Sequence, residues 1–492
     1  MFVMRIIHTF YTKCFEGRDA CCGWLSEEAN FMCWALSCLK AKEFYGKIEL
    51  YTDRRGKEIL VDRMELPYDK VHVVLDNAAE LTCIPTYLWA ISKVYTYSLQ
   101  DEPFVHIDGD FVFWKKFDLD YPIVFQNLEY NVSLYKRVHK NSSKNIGSTI
   151  FEDCVKDNYD DGAFNMGLFG GCNIPFIKEY AQNVLAYVLD KYNLSSIPDD
   201  ANDINCFLEQ YYATYLVKKR QLEYSVIHRP VRDKSKKIHE LADFNSTNKA
   251  AGFTHFLGQS KSNHYVVDFV KHELFCNYRD YYERIHLLFA KGAMKKYYFS
   301  RDNQNLNVHD IYDDLMVRLN RDHYTINDEL DSDFLKYLHD KDEIFRNMPI
   351  LNDKNSIESC YKSAISFKPN TRIRLNENFL LIKKYLCPWS IMYKSKKFVD
   401  KGRITTADDF SAVEKYCIYA RTPFDSSLVT VWVNDIIAYF LLRVISREYI
   451  TIREAWERMN RLVQGDKTLS PKIILLLLTT INEYKILDIL ND

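Results

Sequence analysis

The first half of this chain predicts an α/β fold built on a largely parallel sheet with helices on both faces. Two observations carry that prediction. Short apolar runs of strand character alternate with stretches of helical length from Arg5 to Ile107, and such repeats build parallel sheets covered on both sides. The segment FVHIDGDF then drives an apolar strand straight into two aspartates, Asp108 and Asp110. Ligands of parallel α/β sheets bind beyond the carboxyl ends of the strands, where that pair lies.

The elements follow in order. Arg5–Thr12 alternates as a short strand does. Ser26 offers a helix N-cap, with Glu27 and Glu28 in the first turn, Phe31, Trp34, Cys38 and Leu39 on one face, and Gly46 as the stop. Lys47–Thr52 is the next strand, Lys57–Met64 a short helix and Val71–Leu75 a third strand. Pro85–Leu99 reads as a helix with proline at its start, leading into the strand Phe104–Ile107. Beyond the aspartates come a strand at Ile123–Leu128, a polar loop at Lys140–Ser148 and an apolar, hairpin-like segment at Ala163–Gly171. Helices follow at Pro175–Tyr192 and Ala201–Lys219, a strand at Ala251–Leu257 and a long helix at Tyr265–Phe289.

Composition bounds the function. A chain of 492 residues has room for two or three domains. Its 47% hydrophobic and 27% charged residues are those of a globular protein. A net charge of −2 makes no overall electrostatic case for nucleic acid or an anionic membrane. The apolar runs Leu428–Ile445 and Ile473–Ile481 read as core helices, the first interrupted by polar residues and the second too short to span a bilayer. The start has no signal-peptide pattern. Thirteen cysteines without a C-x-x-C pair suit reduced, buried thiols, so a cytoplasmic location is expected.

Two like charges at the end of a buried strand need compensation, because repulsion and desolvation both oppose them. A divalent cation supplies it, since hard cations take carboxylate oxygens. Other D-x-D triplets (Asp118/Asp120, Asp331/Asp333, Asp340/Asp342) stand in polar or helical settings. Two further segments set the first triplet apart: Asn165-Met166-Gly167 in FNMGLFGG, and THFLGQSK, which places His255, Gly258 and Lys261 at H-x-x-G-x-x-K spacing. Singly, His255 reads as a core histidine, Lys261 as a surface lysine and the glycines as turn residues.

Together, in this order, the three segments resemble nucleotide-sugar glycosyltransferases of the GT-A fold. HIDGD is similar to their D-x-D metal motif, and the N-x-G segment to the lining of their sugar pocket. H-x-x-G-x-x-K is similar to the closing motif of the glycogenin and galactosyltransferase-like group, although Ser262 and Asn263 stand where Pro-Trp often follows. The resemblance spans Met4–Ala290, and an uncharacterised bacterial GT-A-like family also resembles this region. It implies a Rossmann-like mixed sheet flanked by helices. It also implies Mn²⁺ or Mg²⁺ held by Asp108, Asp110 and His255, with the imidazole favouring Mn²⁺. The donor would be a nucleotide-sugar, a UDP-sugar above others, contacted by Tyr11, Thr12, Lys93, Gly258 and Lys261. Asn165 and Gly167 would line the sugar pocket, and Gly109 would leave room for a diphosphate. Asp161 and Glu209 are the candidate catalytic carboxylates.

The domains expected are 1–290 (glycosyltransferase), 291–369 (helical connector) and 370–492 (a small α+β, winged-helix-like accessory domain). In the last, strands at Phe379–Phe398 and Lys415–Val433 precede helices at Asp435–Ile445, Ile452–Val463 and Ser470–Ile481. Its helical part weakly resembles peptide-recognition domains, which would make the acceptor a peptide; as an accessory domain for dimerisation or packing it would leave a glycan as the acceptor. A non-catalytic nucleotide-sugar-binding protein is the rival reading, and a two-metal phosphoryl-transfer enzyme lacks a second carboxylate cluster.

Overall fold

The computed structural model describes residues 4–15, 21–76, 81, 84–130, 153–154, 162–190, 202–232, 244–245, 247–290, 340, 368–376, 379–386, 414–425, 428–433, 435–462, 470–482 and 485–490. The chain divides into two compact units, Met1–Asn263 with Val270–Phe299, and His264–Phe269 with Ser300–Asp492.

The first unit is a mixed α/β sheet flanked by helices, consistent with a Rossmann-like GT-A fold. It opens with β1 (Arg5–Phe10), and α1 (Glu27–Tyr45) follows. Ser26 caps α1 by accepting from Ala29 N, and Gly46 ends it at φ 79 with its N–H on the Lys42 carbonyl. The expected single apolar face understates α1, which is buried on most sides from Ala29 to Ala41. β2 (Ile48–Thr52), α2 (Arg54–Lys57), a π-helical turn at Glu58–Arg63 and β3 (Lys70–Val73) come next.

The helix expected over Pro85–Leu99 is shorter, and α3 spans Ala90–Ser98. Its start is set by tertiary contact instead of by proline. Asn205 Oδ1 accepts from Ala90 N at 3.0 Å, while its amide donates to Tyr87 O at 2.8 Å.

β4 (Phe104–Ile107), β5 (Phe111–Phe113) and β6 (Val124–Tyr130) follow. The segment read as a hairpin is one continuous, buried strand, β7 (Gly162–Gly171). It stays one strand because it pairs antiparallel with β4 on one side and β6 on the other, with a register shift in the pairing to β6. β8 (Ser225–Val226) and β9 (Val231–Arg232) both pair with β6. The eight-stranded sheet runs β3-β2-β1-β4-β7-β6-β8, with β9 beside β6. β1 to β4 are mutually parallel and β7 runs against them, so the sheet is mixed.

Helices α4 (Ile174–Leu189), α5 (Asn202–Cys206) and α6 (Tyr212–Lys219) belong to this unit, with a π-helical turn at Phe207–Tyr211 between the last two. β10 (Phe253–His255) lies outside the main sheet and pairs antiparallel with β5. The long helix expected to Phe289 is two, α7 (His264–Asn277) and α8 (Arg279–Ala290). The polar loop expected at Lys140–Ser148 lies outside the described residues, as does almost all of the connector expected over 291–369.

In the second unit, β11 (Arg372–Leu375), β12 (Phe379–Leu386), β13 (Glu414–Arg421) and β14 (Leu428–Val433) precede α9 (Asp435–Arg443). β15 (Ile450–Thr451), α10 (Ile452–Leu462), α11 (Pro471–Asn482) and β16 (Leu487–Leu490) complete it. The strands form two antiparallel sheets, β15-β11-β16 and β12-β13-β14. Thr451 and Glu454 make a reciprocal capping box at the start of α10: Glu454 Oε2 accepts from Thr451 N at 2.6 Å, and Thr451 Oγ1 accepts from Glu454 N at 3.1 Å. No disulfide joins the described cysteines. Among the described residues, no helix is long and apolar enough to cross a membrane.

Asp53, buried where β2 ends, ties two chain reversals together. Its Oδ1 accepts from Gly56 N at 2.7 Å, and its Oδ2 from Thr12 N at 3.0 Å and Thr12 Oγ1 at 2.5 Å. Asp53→Ala removes a helix cap and leaves buried donors unpaired. Urea unfolding is expected to show a loss of about 1–3 kcal/mol, and a loss within error would remove Asp53 from this role.

Candidate functional site

All four residues of β4 are buried, and the strand ends at Asp108. There the chain turns sharply. Asp108 N donates to Gly167 O at 2.9 Å and Phe111 N to Asp108 O at 3.0 Å, so the D-G-D turn hangs between β4 and β5. β10 then lies along β5 with His255 opposite Phe111, and Phe256 N donates to Asp110 O at 3.1 Å. Backbone pairing thus delivers a histidine from far along the chain to the two aspartates. One ligand atom each of Asp108, Asp110 and His255 lies within 4.8 Å of the others.

The charges around this cluster are partnered. Lys261 Nζ is 2.5 Å from Asp110 Oδ2, and His255 Nε2 is 3.5 Å from Asp110 Oδ1. Burial opposes the charge on Asp110. The Lys261 ammonium and then His255 outweigh it, holding the carboxyl well below its usual range. Lys93, buried on α3, donates to both Asp108 oxygens at 2.9 and 3.1 Å. Its Nζ also lies 2.5 Å from Glu209 Oε1. Neither Glu209 oxygen has a well-aligned hydrogen bond, so that contact is a close ion pair. Burial would lower Lys93, but Asp108 and Glu209 reverse this and raise it. For Glu209 burial dominates and pushes the carboxyl up to about 7, with Lys93 opposing and Asp108 adding to the rise.

Two carboxylates and one imidazole make a donor set that suits a divalent cation such as Mn²⁺. The histidine is presented correctly for it. Nδ1 is engaged by Gln126 Oε1 at 2.7 Å, and Nε2 points to the aspartate side.

The glycines have specific reasons. A Cβ on Gly109 would lie 1.9 Å from the Trp34 ring. The space expected for a diphosphate is therefore taken by tryptophan. Trp34 is held by its Nε1, which donates to Tyr68 Oη at 2.9 Å. His8 bridges Tyr68 at 2.9 Å and Ser37 at 3.2 Å, and Ser37 Oγ donates to Phe111 O at 2.5 Å. Burial, reinforced by His106, pushes His8 down to about 3, so it bridges as a neutral ring. A Cβ on Gly167 would lie 2.2 Å from His255 Cε1, so glycine there makes room for the imidazole. Gly258 has open space but φ +54, which favours glycine on conformation alone.

The other expected residues are distributed as follows. Tyr11 lines a shallow, nearly filled cleft at the end of β1, with Lys13, Leu81, Ile84, Thr86 and Ser92. Thr12 follows it, its hydroxyl taken by Asp53. Asn165 is buried, donating to Glu129 Oε1 at 2.9 Å and accepting from Gly167 N at 2.9 Å. It thereby shapes the strand that carries Gly167. Glu209 has no exposed surface and sits behind Lys93, on the π-helical turn. Asp161 lies outside the described residues. Gln126 and Ser37 carry no signal beyond a polar residue in an apolar run, and Trp34 reads in the sequence only as part of the apolar face of α1.

The model of a family of unknown function, DUF6734, matches residues 4–288, the part that carries the sheet and this cluster. The chain belongs to that family. No curated protein matches the sequence. Among solved structures, mouse xyloside xylosyltransferase 1 in its apo form is similar at 9% identity, over 52% of this chain and 98% of that one, with a TM-score of 0.28.

Gly109→Ala drives a methyl group into the Trp34 ring between the two aspartates. Expected is a loss of about 1–3 kcal/mol in chemical unfolding, together with a changed tryptophan fluorescence. An unaltered spectrum and stability would show that Trp34 does not set this turn.

Proposed function

We propose that this protein is a metal-dependent glycosyltransferase that moves a sugar from a nucleoside-diphosphate sugar to an acceptor hydroxyl, with residues 1–290 as its catalytic domain. The observation that carries the reading is the Asp108–Asp110–His255 cluster at the end of a parallel strand. Asp108, Asp110 and His255 would hold Mn²⁺ or Mg²⁺, which when bound supplies a Lewis acid for the oxygens of the departing diphosphate.

The chain's own residues complete the donor site. Lys261 and Lys93, which flank the cluster, bring positive charge to the diphosphate. Gly258 turns the backbone toward it without a side chain. Tyr11 and Thr12, where β1 ends, face the nucleoside. Asn165 and Gly167 form the sugar side of the pocket. Of the two carboxylates expected to act on the acceptor, Glu209 is assigned a different role. Buried against Lys93, it holds that lysine in place. Asp161 remains the candidate for acceptor activation.

The test is incubation with Mn²⁺ and a panel of nucleotide-sugars, scoring nucleoside diphosphate release and donor-dependent thermal stabilisation. One donor is expected to give both signals, and Asp110→Ala to lower release by about 100-fold or more, since metal assistance is worth several kcal/mol. Stabilisation without release, candidate acceptors included, would make this a binding protein. Release unchanged in Asp110→Ala would refute the metal assignment.

A further inference from the structure

His255 uses its two ring nitrogens in different directions. Nε2 faces Asp110 Oδ1 at 3.5 Å and Nδ1 meets Gln126 Oε1 at 2.7 Å. The Gln126 carboxamide turns its oxygen to the ring. Gln126 Nε2 donates to Asn127 Oδ1 at 2.9 Å, leaving Oε1 for the histidine. A carboxamide oxygen only accepts, so the proton of a neutral ring belongs on Nδ1 and the lone pair on Nε2.

The surroundings hold this pair in one place. Gln126 is fully buried and His255 nearly so. The pairing of β6 with β7 slips at this point, from Phe125↔Phe169 to Asn127↔Asn165, so β7 bulges opposite Gln126. Gly167 lies in the bulge, and a Cβ there would come within 2.7 Å of Gln126 Oε1 as well as striking the imidazole. The Gln126 carbonyl is also fixed, accepting from His228 N at 3.0 Å.

We propose that Gln126 is a positioning residue of the cation site, holding His255 as the Nδ1–H tautomer so that Nε2 is offered to a metal shared with Asp108 and Asp110. The inference rests on the metal reading of those three residues. Partners of this kind orient a metal-binding histidine and fix its tautomer.

Nitrogen-15 NMR of the imidazoles in the full-length protein reads the tautomer directly, with the His255 signals identified by their loss in His255→Asn. The Nδ1–H form is expected in the wild type and its loss in Gln126→Met. Mn²⁺ titration followed by electron paramagnetic resonance is expected to weaken roughly 10–100-fold in Gln126→Met and to hold within about threefold in Gln126→Glu, which keeps an acceptor. Unfolding midpoints in EDTA check that the variants are folded. An Nε2–H ring in the wild type overturns the positioning role alone. So does wild-type Mn²⁺ affinity in Gln126→Met when His255→Asn has lost it. A wild type that does not bind Mn²⁺ overturns the metal reading and this inference with it. Should Gln126→Met fail to fold, the wild-type tautomer and the Gln126→Glu affinity decide.

Discussion

Much of the first unit is arranged around two carboxylates one residue apart at the end of a buried strand. Uncompensated, they would repel each other and lose hydration together. The protein answers with cations brought from different elements. Lys93 comes from the helix before the strand and Lys261 from the turn after β10. Breaking a buried pair by removing one partner costs about 3–5 kcal/mol in general, which explains why Lys93 is itself backed by Glu209. The same arrangement that neutralises the aspartates concentrates carboxylate, imidazole and positive charge in one place, as the proposed transfer from a diphosphate donor would require.

Backbone pairing gives that charge its geometry. β10 contributes three residues, yet its register on β5 alone puts His255 beside Asp110. On the far side, the bulge in β7 opens space for the imidazole at Gly167 and hands the Asp108 amide a carbonyl partner. Below the turn, the buried chain from Trp34 through Tyr68, His8 and Ser37 to the Phe111 carbonyl keeps the D-G-D backbone in one conformation. A neutral His8 serves this chain well, because a charged ring would face the same desolvation that the aspartates do.

The elements that the sequence makes legible are those whose signals are local. Ser26, Glu27 and Glu28 announce α1, Gly46 closes it, and the alternation around Phe104 marks β4. Errors arose where a distant residue overrides a local signal. Pro85 suggested a helix start that Asn205 moves to Ala90. The glycines of Ala163–Gly171 suggested a turn, but strands on both sides hold them extended. Gly109 suggested room for a ligand, and a ring from α1 fills it.

By itself, then, the sequence determined the α/β class and singled out Asp108, Asp110, His255 and Lys261 as candidates, because residue type and short spacing are written along the chain. The tertiary structure alone decided that the histidine meets the aspartates and that Glu209 faces a lysine. It alone showed that Gln126 reaches the histidine and that Gly167 serves the imidazole. Those facts depend on strand register and on which side chains share a buried volume. Register is settled by hydrogen bonding between segments far apart in the chain, for which local pattern carries no signal.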